Sequence, residues 1–372
     1  MTERFGPVAD VLHAQVDSGR LPGFVAAIRA GGRTEVLAGG RLALDGDART
    51  EPDTLFRLAS VTKPFAGALT LGLVADGVLG LDDEIGTWLP ELAEPRVTAR
   101  RGGPLDETVP AERPITVRHL LANTAGMGWS ADIGPLADAM DERDVGPGAF
   151  GTDLEPDEYL SRLAGLPLSG QPGETWNYHT CSDVLTVLLA RATGRRVGEL
   201  LDEKVTGPLG LTDTAFWTAE TGRLASCYLP TDGGLELVEP PDGRFAAPRS
   251  VESLSAGLVA TAPDVLRFFC AVVDGCLPGT APMTHDQLTP GQLAAARDFL
   301  GPGRSWGFQV AVDTEPVASW RTPGRWGWDG GTGTSAWADP ARDVVGVLLT
   351  QRMMTGPHDE PDAFWSTVYG CL

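Results

Sequence analysis

Apolar positions in residues 4–18 recur at helical spacing, which predicts an amphipathic opening helix. The next stretch, GFVAAIRAGGRTEVLAG, reads as two strands around a Gly-Gly turn, so the chain opens helix, strand, strand. FAGALTLGLVADGVLG is apolar on nearly every side and ends at glycine, the pattern of a helix buried all round. From 82 to 250 the pattern changes to short helices between Gly and Pro loops, among them VRHLLAN, PDEYLSRLAG, DVLTVLLARATG and VGELLDEK. TAPDVLRFFCAVVDG opens with Thr261 and Asp264 at capping-box spacing, and TPGQLAAARDFL repeats the device with Thr289, Pro290 and Gln292. Strand signals return in SWGFQVAVD, TSAWADP and DVVGVLLTQR, the last two joined by a turn at Asp339–Asp343, and a final helix is predicted near 361–370.

Strands at both ends of the chain around a helical insert predict an α+β fold. One antiparallel sheet flanked by terminal helices would be built from 1–81 and 251–372, with an all-α lobe from 82–250 and a cleft between the two. The stretches 94–113 and 142–157 read as polar loops or lids without an assigned role. A chain of 372 residues with 42% hydrophobic content can support such a two-lobed core.

The net charge of −21 repels nucleic acid and anionic membrane surfaces, and TARRGGP and TGRRVGE are too short to form a basic patch. The same field disfavours anionic substrates. No apolar run reaches the roughly 18 residues of a membrane span, and the N-terminus lacks a signal-peptide layout, so a cytoplasmic location is expected. The five cysteines at 181, 227, 270, 276 and 371 form no C-x-x-C pair, which argues for buried free thiols over a zinc site or disulfide framework.

The chemistry concentrates in LASVTKPF. Among 29 basic residues only Lys63 and Lys204 are lysine, and Lys63 stands three positions after Ser60, one turn apart on one face at the head of the buried helix. A serine hydroxyl becomes nucleophilic when a neighbour takes its proton. A buried lysine beside a helix N-terminus can do so, whereas arginine cannot. Lys204 reads as a solvated helix charge. Ser305 lies in a G-x-S-x-G string, but a strand follows it where a nucleophile elbow needs a helix, so it reads as a loop entering a strand.

LFRLASVTKPF, GVLGLDDEIGTWLPEL, ITVRHLLANTAGM, PGETWNYHTCSDVLTVLLARATG, GLVATAPDVLRF and GWDGGTGTSAWADP together resemble the serine β-lactamase and penicillin-binding-protein-like superfamily. The resemblance is to its class C branch and the family VIII carboxylesterases, over about residues 20–352, and it implies the β-lactamase/transpeptidase-like fold. By that resemblance Ser60 is the acylated nucleophile, Lys63 its base partner and Tyr178 the residue that shares proton transfer. On its own terms, Tyr178 before a helix start also suits a core aromatic. The N–H groups of Ser60 and Gly331 would form the oxyanion hole.

Two motifs depart from the family. Its Y-x-N is Tyr178, His179, Thr180 here, without the usual amide, and alternation in an extended segment would point His179 away from Tyr178. Where the β-lactamases carry Lys or His, this chain has Trp328, followed by Asp329, Gly330 and Gly331. That exchange makes a site poor for carboxylates and better for neutral acyl groups, with Trp328, Asp329, Gly330, His179 and Trp176 as candidate substrate contacts. Trp176, Trp326 and Trp337 either extend an aromatic wall or pack the core. The expected activity is ester hydrolysis of a small molecule through an acyl-enzyme, with no metal or organic cofactor. Acyl transfer, β-lactamase or DD-peptidase activity and non-catalytic acyl binding are the alternatives.

Overall fold

A computed structural model describes residues 4–359 and 361–372. Seven strands form one antiparallel sheet: β1 (Gly23–Ala30), β2 (Arg33–Gly40), β3 (Arg304–Trp306), β4 (Ala311–Asp313), β5 (Trp326–Gly330), β6 (Thr334–Asp339) and β7 (Val344–Thr350). Their order is β2-β1-β7-β6-β5-β4-β3, so the opening hairpin joins the C-terminal strands where Phe24 pairs with Thr350 and Ala30 with Val344. Side-chain alternation along β1 divides the core. Phe24, Ala26 and Ile28 face one layer, with Val8 and Leu12 of α1 (Gly6–Asp17), Phe5 at its N-cap, and Phe364, Trp365 and Val368 of the closing helix Asp362–Gly370. Val25 and Ala27 face the other, with Phe65 and Leu69 of α2 (Thr62–Ala75) and Val265 and Phe269 of the helix Ala262–Val273. That second cluster continues through Leu120, Tyr159 and Leu188, so one hydrophobic core ties the sheet to the helical region. Each fully buried Leu or Phe contributes roughly 1.5–3 kcal/mol relative to exposure.

The helical region contains the expected segments, Val117–Leu121, Pro156–Ala164, α3 (Thr180–Thr193) and Val197–Leu201. It also carries two short hairpins, Arg96–Thr98 with Thr108–Pro110 and Cys227–Thr231 with Gly234–Glu239. SWGFQVAVD is two strands rather than one. Gln309, at φ 66°, breaks the run, and its amide holds the carbonyls of Leu120 and Leu121. The Thr289–Gln292 capping box forms in full. At Thr261 only half of it forms, because the Asp264 carboxylate accepts from Asp213 N–H and the Thr214 hydroxyl instead. Cys181 and Cys227 are buried free thiols, whereas Cys276 is exposed, contrary to the sequence reading. Lys204 lies on the surface between Asp76 and Glu203. No helix among the described residues is long and apolar enough to cross a membrane.

Candidate active site

A 3₁₀ turn, Ala59–Val61, carries Ser60 into α2, so the serine precedes the helix and Lys63 is its second residue. Ala59 holds φ at 44°, a left-handed conformation that is uncommon for a residue with a β-carbon and turns the chain sharply before the nucleophile candidate. Two hydroxyls staple this turn to the sheet: Thr332 donates to Arg57 O at 2.6 Å and Thr334 to Leu58 O at 2.7 Å. Gly330 permits the approach, since a β-carbon there would sit 2.2 Å from Thr334 Oγ1 and 2.3 Å from Leu58 O.

Lys63 is wholly buried. Its Nζ lies 3.1 Å from Ser60 Oγ, 2.8 Å from Ser255 O, 3.4 Å from His179 Nδ1 and 4.7 Å from the centre of the Tyr178 ring. Burial pushes its pKa down to about 7, against an upward pull from Asp183. Near neutral pH a large share of the amine beside the serine hydroxyl is therefore neutral. Burial raises the Tyr178 phenol well above its ordinary value, with contacts to Ser60 and Trp328 opposing, so Tyr178 stays protonated. Its oxygen accepts a 2.6 Å hydrogen bond from Trp328 Nε1. Trp328 is thus more than a cavity wall: it supplies the phenol with a donor that carries no charge.

A cavity of about 280 Å³ opens onto Ser60 and is bordered by Tyr178, His179, Trp328, Asp329 and Gly331. The rest of its wall is largely apolar. Pro147 and Ala149 come from the loop that the sequence left without a role, joined by Phe299, Met353, Met354 and Pro357. Arg304 reaches the wall, but its guanidinium is buried, with Nε 3.3 Å from Asp313 Oδ1. Asp329 turns one carboxylate oxygen back into β6, where the Ser335 hydroxyl and Trp337 Nε1 donate to it.

The structure brings Ser60, Lys63, Tyr178, His179, Trp328, Asp329 and Gly331 together, and separates the other expected contacts from the cavity. Trp176 does not border the cavity; it packs against two residues that do, 5.8 Å from the Tyr178 ring and 5.5 Å from Phe299, and lies 5.5 Å from Trp306. Gly330 serves backbone approach. Trp326 stacks on Phe269 in the core and Trp337 lies under Arg304 and Arg325, so neither extends the aromatic wall. Ser305 is fully buried in β3 with its hydroxyl on Asp286. His179 does not point away. At φ 83° and ψ −66° it breaks the alternation and turns its ring toward Lys63. Sequence reasoning also missed Asp183, whose carboxylate lies 3.3 Å from His179 Nε2; their i, i+4 spacing at a helix start was the available signal. Phe299, Met353 and Met354 carried no local signal, being brought to the cavity only by tertiary folding. No group of His, Cys, Asp and Glu suited to a metal ion occurs among the described residues.

The sequence profile of the family described as Beta-lactamase matches residues 8–366. Protein Rv1367c of Mycobacterium tuberculosis is 36% identical over 332 residues, covering 83% of this chain and 80% of that protein. Esterase EstB of Burkholderia gladioli is 36% identical over 330 residues, covering 82% of this chain and 80% of that one. Among solved structures, EstCE1, described as a hydrolase with promiscuous acyltransferase activity, superposes with a TM-score of 0.84 at 25% identity, over 99% of this chain and 98% of its own.

Proposed function

The chain belongs to the β-lactamase family, and from that premise we propose that it is a serine carboxylesterase that forms its acyl-enzyme on Ser60 and acts on neutral small acyl esters. The observation that carries this reading is the buried Lys63 amine 3.1 Å from Ser60 Oγ at one end of an apolar cavity. Ser60 Oγ attacks the ester carbonyl carbon while its proton passes to Lys63 Nζ. The Ser60 and Gly331 N–H groups hold the oxyanion. Its collapse breaks the ester C–O bond, Tyr178 gives its proton to the departing alcohol, and the Lys63 ammonium reprotonates Tyr178. Water then attacks the acyl-enzyme with Lys63 as base, releasing the acid and restoring Ser60.

Trp328 supports an ester over a β-lactam or peptide carboxylate, because an indole stands where a cation would hold that charge, and Arg304 is committed to Asp313. Esterase EstB, 36% identical, supports the same class. Acyl transfer to an alcohol or amine is the second reading, supported by the described activity of EstCE1. Turnover of p-nitrophenyl acetate and butyrate by wild type and Ser60→Ala tests the proposal, with a chromogenic cephalosporin alongside. Ester turnover lost in the alanine variant is expected. Equal turnover in both proteins, or a clear preference for the cephalosporin, refutes it.

A further inference from the structure

The Lys63 amine has three polar neighbours, Ser60 Oγ at 3.1 Å, Ser255 O at 2.8 Å and His179 Nδ1 at 3.4 Å. A neutral amine offers two hydrogens and one lone pair. The Ser255 carbonyl can only accept, so it takes one hydrogen. Where the second goes depends on His179. If Nδ1 accepts it, the lone pair is left facing the Ser60 hydroxyl, the orientation a general base requires. If Nδ1 carried a hydrogen, it would compete with Ser60 for that lone pair.

The other ring nitrogen decides the tautomer. His179 Nε2 lies 3.3 Å from Asp183 Oδ2. Burial pushes Asp183 up, but contacts with His179, Ser255 and Ser253 outweigh it and hold the carboxyl below its ordinary value. The Ser253 hydroxyl donates to its other oxygen at 2.8 Å. An ionised carboxylate only accepts, so Nε2 carries the ring hydrogen and Nδ1 presents a lone pair to Lys63. The Gly148 N–H also donates toward Nε2, at 3.4 Å, which alone would favour the opposite tautomer; the ionised carboxylate at 3.3 Å is the stronger partner and sets the proton on Nε2. Burial, followed by the Lys63 charge, lowers the His179 pKa and keeps the ring neutral.

The backbone is bent to achieve this. Thr180 N–H donates to Tyr178 O at 3.2 Å across His179, closing a γ-turn of the rare positive-φ kind. Such strain at a buried site persists where surrounding contacts fix it.

We propose that His179, fixed by Asp183, is a positioning residue that aims the Lys63 lone pair at Ser60. The proposal rests on the esterase reading above and deepens it. Facing Lys63 are Ser60, the Tyr178 ring, His179 and Ser255, with Asp183 behind His179. Asp183 in turn meets Ser253 and acts on Tyr159 and Cys181.

The test compares wild type with His179→Ala, His179→Asn and Asp183→Asn in p-nitrophenyl butyrate turnover across pH, with fluorophosphonate labelling of Ser60 and circular dichroism on each protein. His179→Ala is expected to lower kcat on the order of a hundredfold with little change in KM. His179→Asn should recover most of that loss, because Asn Oδ1 sits where Nδ1 was and asparagine tolerates positive φ. Asp183→Asn removes the charge that raises Lys63, so the acid limb of kcat/KM moves to lower pH. An unchanged kcat in His179→Ala, an asparagine variant no better than the alanine variant, or an unmoved limb in Asp183→Asn overturns the proposal. If His179→Ala does not fold, the other two variants decide it. Failure of wild type to label at Ser60 strikes instead at the esterase reading itself.

Discussion

Gly330→Ala perturbs the site without touching a side chain that does chemistry. A β-carbon at 330 would lie 2.2 Å from Thr334 Oγ1 and 2.3 Å from Leu58 O, where ordinary carbon–oxygen contact needs well over 3 Å. The backbone on one side must retreat by about 1 Å, and a displacement of that size at a reacting group costs on the order of a hundredfold. The retreating element carries the Gly331 N–H away from Ser60, so the substitution approximates loss of one oxyanion donor, a hundred- to a thousandfold in kcat, or about 2.7–4 kcal/mol. Gly331→Ala is the natural comparison, because its β-carbon would meet only Ala149 Cβ at 3.4 Å. Steady-state hydrolysis of p-nitrophenyl butyrate by both variants separates the effects: kcat should collapse in Gly330→Ala, while Gly331→Ala should mainly raise KM by narrowing the cavity. Wild-type kcat in Gly330→Ala would refute the placement of the oxyanion hole.

Trp328→Phe keeps the aromatic wall and removes the 2.6 Å donor to Tyr178, so kcat should fall about tenfold, the loss of roughly 1.4 kcal/mol from one hydrogen bond to a reacting phenol; a fall confined to KM would show that the indole only contacts substrate. Lys63 must be neutral to act, so kcat/KM of wild type should decline as pH drops through about 7, and Lys63→Arg should be inactive at every pH; a profile flat from mildly acid to neutral pH contradicts this. Asp313, wholly buried, meets Arg304 at 3.3 Å, Arg325 at 3.1 Å and Arg321. Asp313→Ala should cost about 3–5 kcal/mol, read as a lower urea midpoint, since three guanidinium groups lose their buried partner.

The opening hairpin, the buried helix and the last two strands were legible because each is written in local periodicity and turn chemistry: alternation along GFVAAIRA, apolar positions all round in α2, a Gly-Gly turn. β5 was not. WGWDG lacks β-branched residues, and its pairing with β6 is set by tertiary partners. The meeting of Ser60 with Lys63 followed from one helical turn. The arrival of Tyr178 beside them rested on resemblance to a family, since 118 and 115 positions of chain separate it from that pair. The rule of alternation failed at His179 because one residue at positive φ reverses the direction of a side chain, a feature no spacing reveals. Trp176 was named among the contacts on residue type, but burial depth depends on tertiary neighbours, and Tyr178 and Phe299 border the cavity where Trp176 does not.

A neutral, buried Lys63 amine makes the Ser60 hydroxyl nucleophilic. This is tested most directly by quenching the protein with acid during turnover of p-nitrophenyl butyrate and mapping the peptides by mass. One butyryl group is expected on the peptide containing Ser60, absent in Ser60→Ala and strongly diminished in Lys63→Arg. A butyryl group on any other residue, or full acylation of Ser60 in Lys63→Arg, would contradict those roles of Ser60 and Lys63.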